Sequence, residues 1–362
     1  MEKILIVTTD WGHGSIAKSI REVTEKKYKT DLAVIGVEPF SKVSYELIYK
    51  YFPSLFKIVF WFSEIKILKK LFDSYVERSY KGKIRSVIKR SKPNIVMNTY
   101  FAFNSSLESF KDKFSFRFIN VLADPLTFSR ILISENTKNL VFDEYSLRKL
   151  KTFEPQADGQ LVGWFTEKKF YEIGKKERSS VRKELGLSPN RFTLCITSGS
   201  EGTYHVLKIV KTFLSPRYDI QVLIMCGNNK QLLDTVHTLR SVSEKIGGPK
   251  IIAVAYTKEI HKYMRAADIV VGKAGPNTIF ESVATLTPFF AISHVAGQED
   301  GNLEIIKRYG VGFVEERIVA ATKNIQEIIE SPKRLAKFQR NLKILAKYCQ
   351  TSEENLLKVL KP

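Results

Sequence analysis

Two doubly wound α/β domains facing across a cleft are what this sequence predicts, and three observations carry the expectation. Short apolar runs alternate with helix-compatible stretches, as buried parallel strands and their crossovers do. The rhythm occurs twice, on either side of a charged stretch rich in breakers. The length of 362 residues suits two domains of ordinary size. The expected division is an N-terminal domain over 1–165, a linker over 166–190 and a C-terminal domain over 191–345. A C-terminal helix over 346–362 is expected to pack back toward the N-terminal domain.

In the first half, Ile4–Val7 reads as a strand, then a turn at Asp10-Trp11-Gly12-His13-Gly14, then a helix from Ile16 to Thr24. Asp31–Val37 is the second strand, and Ile95–Asn98 is the third, after the Pro93 break. Phe118–Leu122, just before Asp124-Pro125, is the fourth, and Leu140–Phe142 a weaker fifth. In the second half, Phe192–Thr197 runs into Ser198-Gly199-Ser200-Glu201-Gly202 and a helix from His205 to Phe213. Gln221–Cys226 ends at Gly227-Asn228, and Ile251–Ala255 ends at Tyr256-Thr257. Ile269–Gly272 leads into Lys273-Ala274-Gly275-Pro276-Asn277-Thr278, and Phe289–Ile292 follows Pro288. Lys168–Asn190, charged and broken by Gly174, Gly186 and Pro189, reads as the linker.

Hydrophobic residues make up 44% and charged residues 27%, which excludes global disorder. Cys195, Cys226 and Cys349 stand far apart, so neither a disulfide framework nor a zinc site is expected, and a reducing compartment fits. No apolar run approaches the roughly 18 residues of a membrane span, and no signal-peptide pattern is read at the start. A cytoplasmic protein, peripheral on the inner face of the cell membrane, is the expectation. The net charge of +20 points to an anionic partner: membrane, nucleic acid or phosphorylated substrate. Between Lys42 and Lys92 there are 13 bases and 4 acids, whereas the rest of 1–165 holds 14 of each. One block carries the excess.

Three places hold candidate chemistry. Ser198 to Gly202 joins a strand to a helix, where glycines and the helix N-terminus suit an anion, although a plain turn also uses Gly and Ser. His13, flanked by Gly12 and Gly14, suits a base or an anion donor, or merely an exposed turn residue. The densest constellation is Lys273 to Thr278, with Glu281 one turn on and Gly297-Gln298-Glu299-Asp300-Gly301-Asn302 downstream. A carboxylate there can accept two ribose hydroxyls, and an amide–carboxylate pair can clamp a sugar. Alternatively, Glu281 complements the helix dipole and the second motif caps a helix.

The block from Met264-Arg265-Ala266-Ala267-Asp268 through Gly275-Pro276-Asn277-Thr278-Ile279-Phe280-Glu281 to Pro288 and Gly297–Asn302 closely resembles one family. It is that of the processive diacylglycerol glucosyltransferases and monogalactosyldiacylglycerol synthases. More distantly, it is similar to the cell-wall transferase that adds N-acetylglucosamine to a lipid-linked muropeptide. The resemblance extends over most of the chain. It implies the GT-B fold, two Rossmann-like domains, and inverting transfer of a hexose from a UDP-sugar to a lipid hydroxyl. Carried over, Gly275, Asn277 and Thr278 hold the diphosphate, Glu281 the ribose, and Gln298 and Glu299 the hexose, with Asn302 closing that motif. Gly199 and Ser200 line the phosphate side, and His13 matches the family's catalytic histidine. Gly163-Trp164-Phe165-Thr166-Glu167 stands where the family has Gly-x-Pro-x-Arg.

Tyr45 to Tyr80 holds 11 of the chain's 42 aromatic residues. Tyr49, Phe52, Phe56, Phe60, Trp61 and Phe62 alternate there with Lys57, Lys66, Lys69 and Lys70. That is the composition of a segment lying in a membrane interface, and equally of a core with a solvated basic face or of a single-strand binding groove. The resemblance favours docking on anionic lipid to reach a lipid acceptor, with no nucleic acid expected. His13 is the candidate base, and Asp124 a second candidate or the group that orients it. No two aspartates stand two positions apart, so a metal-holding Asp-x-Asp is absent and no metal or other cofactor is expected beyond the UDP-sugar substrate. The rival readings are a nucleic-acid-binding protein, a UDP-sugar epimerase or binding protein, and transfer of N-acetylglucosamine to a polyprenyl-linked acceptor.

Overall fold

The computed structural model describes residues 2–10, 12–37, 65–197 and 205–361. The chain divides into two units, Met1–Glu167 with Val295–Asn302 and Tyr348–Pro362, and Lys168–His294 with Leu303–Lys347.

In the first unit, six parallel strands are β1 (Lys3–Thr8), β2 (Lys29–Val34), β3 (Ile95–Asn98), β4 (Arg117–Val121), β5 (Lys138–Val141) and β6 (Asp158–Leu161). They lie in the order β2-β1-β3-β4-β5-β6. The crossovers include α1 (Gly12–Thr24), α2 (Lys66–Ser91), α3 (Asn104–Lys111) and α4 (Glu144–Phe153). Central β1 reads as an unbroken apolar run because both of its faces are covered, and Ile4 to Val7 are at most 1% exposed. Val76, Tyr80, Ile84 and Ile88 repeat every four residues along α2 and are buried against Leu5, Val7, Val96 and Phe103. Lys92, in the left-handed region at φ 48°, ends that helix just before Pro93.

The second unit repeats the architecture with β7 (Phe192–Thr197), β8 (Ile220–Gly227), β9 (Lys250–Ala255), β10 (Ile269–Lys273), β11 (Phe289–Ser293) and β12 (Gly312–Val314). Their order is β12-β11-β10-β7-β8-β9, again parallel throughout. The remaining helices run in chain order as α5 (Lys168–Gly174), α6 (Arg178–Glu184), α7 (His205–Thr212), α8 (Lys230–Lys245) and α9 (Ile260–Ala266). After them come α10 (Pro276–Ala284), α11 (Asp300–Tyr309), α12 (Ile318–Glu330), α13 (Ala336–Gln350) and α14 (Ser352–Leu360). Residues from Tyr348 onward, including α14, group with the first unit.

Three local expectations are corrected, and two strands are added. The stretch 166–190 is not a bare linker, because residues 168–184 contain α5 and α6. Its charges fasten it: the Arg182 guanidinium donates to Ala266 O at 2.8 Å, Pro189 O at 3.0 Å and the Asp268 carboxylate at 2.6 Å. Arg265 likewise donates to Lys176 O and Thr285 O. Gly12 to Gly14 are the first turn of α1 rather than a loop ahead of it. The second strand begins at Lys29, two residues before its apolar run, because it pairs along all of β1 from Lys3↔Lys29 to Thr8↔Val34. Strands β6 and β12 were not among the strands read from the sequence; both are sheet edges with partly exposed residues throughout.

Candidate active site

The order of the first sheet reverses between β1 and β3. In an open parallel sheet such a reversal leaves a crevice outside the carboxyl ends of the two strands. A small pocket lies there, and its lining includes His13, Thr99, Phe101, Asn120, Asp124 and Leu132. His13 and Asp124, 111 positions apart in sequence, thus come to one pocket. Thr99, Phe101, Asn120 and Leu132 were not among the candidates read from sequence. Only the order of strands, which sequence does not display, puts the end of β3 beside the end of β1.

His13 is half-buried, with Nδ1 2.6 Å from the carbonyl oxygen of Thr99. A carbonyl only accepts, so Nδ1 carries a proton and, in the neutral ring, Nε2 holds the lone pair. Loss of water around the ring pushes its pKa down to about 4, and the Thr99 bond opposes this only in part. The imidazole is therefore neutral at pH 7. Tyr100 meets it edge-on at 5.0 Å between ring centroids. Burial holds the Tyr100 phenol above its ordinary value, so that ring stays neutral too. Thr99 Oγ1 donates to Thr8 Oγ1 at 2.7 Å, tying the ends of β1 and β3 together. A Cβ on Gly14 would come within 3.2 Å of Thr9 O, so glycine suits this close entry into α1.

Asp124 follows β4 and is 5% exposed. Its loop is fastened on both sides. Pro125 O accepts from Ser146 Oγ at 2.8 Å, and Gly301 N–H donates to Thr127 Oγ1 at 3.3 Å. Gly301 approaches the same loop so closely that a Cβ there would lie 2.6 Å from the Leu126 carbonyl carbon.

In the second unit the sheet order reverses between β7 and β10. The loops after these two strands are 198–204, which lies outside the described residues with Gly199 and Ser200, and the turn from Ala274 into α10. A Cβ on Gly272 would overlap Thr197 Oγ1 and its carbonyl, so only glycine lets the two strand ends come this near. Ala274 N–H donates to Ser293 O at 2.8 Å, and Gly275 N–H to Lys273 O at 2.8 Å, which sets the turn. Pro276 opens the helix at its first position, where its missing N–H costs nothing. Asn277 and Thr278 are the second and third residues of α10, and the first amides of a helix point out of its N-terminal end. Glu281 is the sixth residue of α10, past the first turn where a helix dipole acts strongly. It shares a face with Asn277 and Thr278, four and three residues back.

Gln298, Glu299 and Asn302 group with the first unit and not with Glu281. One oxygen of Glu299 accepts the Val295 N–H at 2.7 Å, and Asn302 N–H donates to Glu299 O at 2.9 Å. Glu299 is 5% exposed and Asn302 0%, whereas Gln298 is partly exposed. Glu299 and Asn302 therefore build the turn, and Gln298 shows surface.

Of the aromatic segment, Tyr49, Phe52, Phe56, Lys57, Phe60, Trp61 and Phe62 lie outside the described residues. Lys66 begins α2, and its side chain is likewise outside them. Lys69 is turned to Asp73 at 2.8 Å, while Lys70 is exposed. Phe72 stacks on pocket-lining Phe101 at 6.2 Å, which joins α2 to the pocket wall. Among the described residues, no group of three or more His, Cys, Asp or Glu side chains is gathered as metal ligands are.

Residues 193–343 match the glycosyltransferase family 28 C-terminal domain. The chain is 23% identical over 358 residues to a processive diacylglycerol β-glucosyltransferase of Bacillus licheniformis, covering 95% of this chain and 91% of that one. It is 28% identical over 188 residues to monogalactosyldiacylglycerol synthase 1 of Arabidopsis thaliana, covering 47% and 34% of the two chains. Among solved structures it is similar to Anabaena HepE in complex with UDP and glucose, with a TM-score of 0.59 at 13% identity, covering 99% of each chain. MurG of Acinetobacter baumannii gives a TM-score of 0.61 at 10% identity, covering 99% and 98%. The two parallel sheets and these likenesses are those of the GT-B fold. The chain is a glycosyltransferase of that fold, similar over residues 193–343 to the family 28 C-terminal domain and along nearly all of its length to the diacylglycerol glycosyltransferases.

Proposed function

We propose that this enzyme moves a hexose from a UDP-sugar to a hydroxyl of a diacylglycerol-type membrane lipid, with inversion and without a metal ion. The observation that carries the reading is the His13 ring, neutral and with its Nε2 lone pair directed away from the Thr99 bond, in a pocket shared with Asp124. In the proposed step Nε2 takes the proton of the lipid hydroxyl as its oxygen attacks the anomeric carbon. The bond from that carbon to the diphosphate oxygen breaks on the opposite face, so the configuration inverts. Asp124 steadies the imidazolium that forms. Backbone amides at Asn277 and Thr278, with the 199–202 loop, take up the charge of the departing UDP, and Glu281 binds its ribose. Gln298 reads hexose hydroxyls, in a turn that Glu299 and Asn302 shape. The absence of an Asp-x-Asp pair from the sequence supports the metal-free step.

Docking rests on α2 and the aromatic segment before it. Leu71 is 63% and Tyr75 48% exposed, on a helix face that continues through Arg78, Arg85 and Lys89. Apolar anchors beside cations suit an anionic bilayer. No described helix is long and apolar enough to cross a membrane.

The test is to offer radiolabelled UDP-glucose, UDP-galactose and UDP-N-acetylglucosamine in turn, on liposomes containing diacylglycerol, with EDTA present. Label in the extracted lipid from one sugar donor is the expected result, and NMR of the product reads its anomeric configuration. UDP binding without transfer would move the acceptor to a polyprenyl-linked lipid, which those liposomes lack. No UDP binding at all would sink the reading.

A further inference from the structure

Thr99 O decides which nitrogen of His13 is available, so whatever fixes that carbonyl acts on the base. The peptide that carries it and the peptide after it are gripped by one side chain. Asn98 Oδ1 accepts the Tyr100 N–H at 3.1 Å, and Asn98 Nδ2 donates back to Tyr100 O at 2.8 Å. The other Nδ2 hydrogen goes to Asn104 Oδ1 at 2.7 Å. The orientation of this amide is forced, since an N–H on one side requires oxygen there and two oxygens on the other require the NH₂. Asn98 is 0% exposed, so each bond is made out of water, where losing one is costly. Asn104 is itself anchored, donating to Leu132 O at 3.4 Å. Asn120 Nδ2 reaches the same carbonyl at 2.8 Å and Asn139 Oδ1 at 2.8 Å. A buried chain of asparagines therefore runs from the Thr99–Tyr100 peptide beneath His13 to the pocket wall at Leu132.

We propose that Asn98 is a positioning residue for His13: by clamping the Thr99–Tyr100 peptide it aims Thr99 O at Nδ1, fixes the Nδ1–H tautomer and leaves Nε2 as the base. The inference rests on the reading of His13 as the base. Asn98 is fully buried and is not among the residues lining the pocket, and β3 would form as well with Val or Ile at that position. Its amide is needed only where the chain leaves the strand and must hold one carbonyl at a set angle, a local bond of the Asx-turn kind. A free neutral imidazole favours the opposite tautomer, so releasing the carbonyl changes which nitrogen is protonated and not merely how firmly the ring is held.

The test reads the tautomer and the kinetics together in the full chain. The protein has five histidines, so long-range ¹H–¹⁵N spectra of histidine-labelled protein resolve His13, assigned by its loss in His13→Gln. The wild type should show the Nδ1–H form. Asn98→Ala should move the signal toward the Nε2–H form and lower kcat by roughly ten- to a hundredfold, a part of what a general base supplies. KM for the UDP-sugar and Kd for UDP should stay within about twofold, because the donor contacts are elsewhere. If Asn98→Ala does not fold, Asn98→Ser replaces it. Its hydroxyl can meet the Tyr100 N–H but cannot bridge to Asn104 as well, and it should give a smaller shift of the same sign. An unchanged tautomer, with or without loss of activity, would overturn the proposal. A shifted tautomer with full activity would uphold the clamp and instead remove His13 from the role of base.

Discussion

In the proposed reaction the working nitrogen of His13 is chosen by a main-chain oxygen, and its protonation is set by the loss of water around the ring. A pKa near 4 leaves the proposed base of the free enzyme unprotonated at any pH above about 5. The kcat/KM profile should therefore be flat from pH 6 to 8 as far as this group is concerned and fall only as the pH drops through about 4. An acid limb centred near 6.5 would show a solvated histidine and contradict the burial. The same depression links to stability. The unfolded ring gains its proton near 6.5 and the folded one near 4, so stability present in full above 6.5 is lost as the pH falls through that window. The amount is on the order of 3 kcal/mol, and comparing acid titrations of wild type and His13→Gln isolates it. His13→Ala should lower kcat by about 10²- to 10⁴-fold while UDP still binds. Normal turnover by that variant would give the proton to another group.

Among the elements, α2 carries two faces with different duties. Its inner stripe of Val76, Tyr80, Ile84 and Ile88 belongs to the core, and Ile84→Ala should cost about 2–5 kcal/mol in a denaturant titration. Its outer face carries Leu71 and Tyr75, and replacing both with Glu should weaken binding to anionic liposomes at least tenfold. Turnover of a detergent-dispersed acceptor should stay unchanged; a loss there too would mean the face serves the pocket instead. The inner stripe drew no reading from the sequence, and of the lysines in the aromatic segment Lys69 and Lys70 look alike until one is seen paired with Asp73. Interior strands such as Ile4–Val7 and Phe192–Thr197 were legible because burial on both faces demands continuous apolar runs. Strands β6 and β12 were not, because Asp158–Leu161 is mostly polar and Gly312–Val314 is only three residues long. Gly12 and Gly14 disguised the first turn of α1 as a loop. The pocket was half legible: His13 and Asp124 follow strands and carry reactive groups, but Asn98, Thr99 and Tyr100 matter only through the adjacency of β1 and β3.

At the scale of the whole molecule, the chain passes between its two units four times, at residues 167–168, 294–295, 302–303 and 347–348. Its last return completes the first unit. Leu356 and Leu360 of α14 are 0% exposed, and Tyr348 OH donates to Phe142 O at 2.7 Å. The Arg117 guanidinium, at the start of β4, donates to the carbonyls of Leu360 and Lys361, where the helix leaves its last acceptors without internal partners. Lys26 on the first unit's side pairs with Glu353 at 2.5 Å, but as an exposed pair it adds little. The stabilising effect of this return therefore lies in the buried leucines and the Arg117 cap. Leu360→Ala should lower the stability of the first unit by about 2–5 kcal/mol, and Arg117→Ala by about 1–3 kcal/mol through the unsatisfied carbonyls. Bound UDP stabilises only what binds it. If the diphosphate contacts lie in the second unit, saturating UDP should raise the melting of that unit in wild type and Leu360→Ala alike and leave the lowered transition of the first unit in place. A single transition that UDP raises fully in both proteins would mean the two units unfold as one, and the loss at Leu360 would then be felt at the donor site as well.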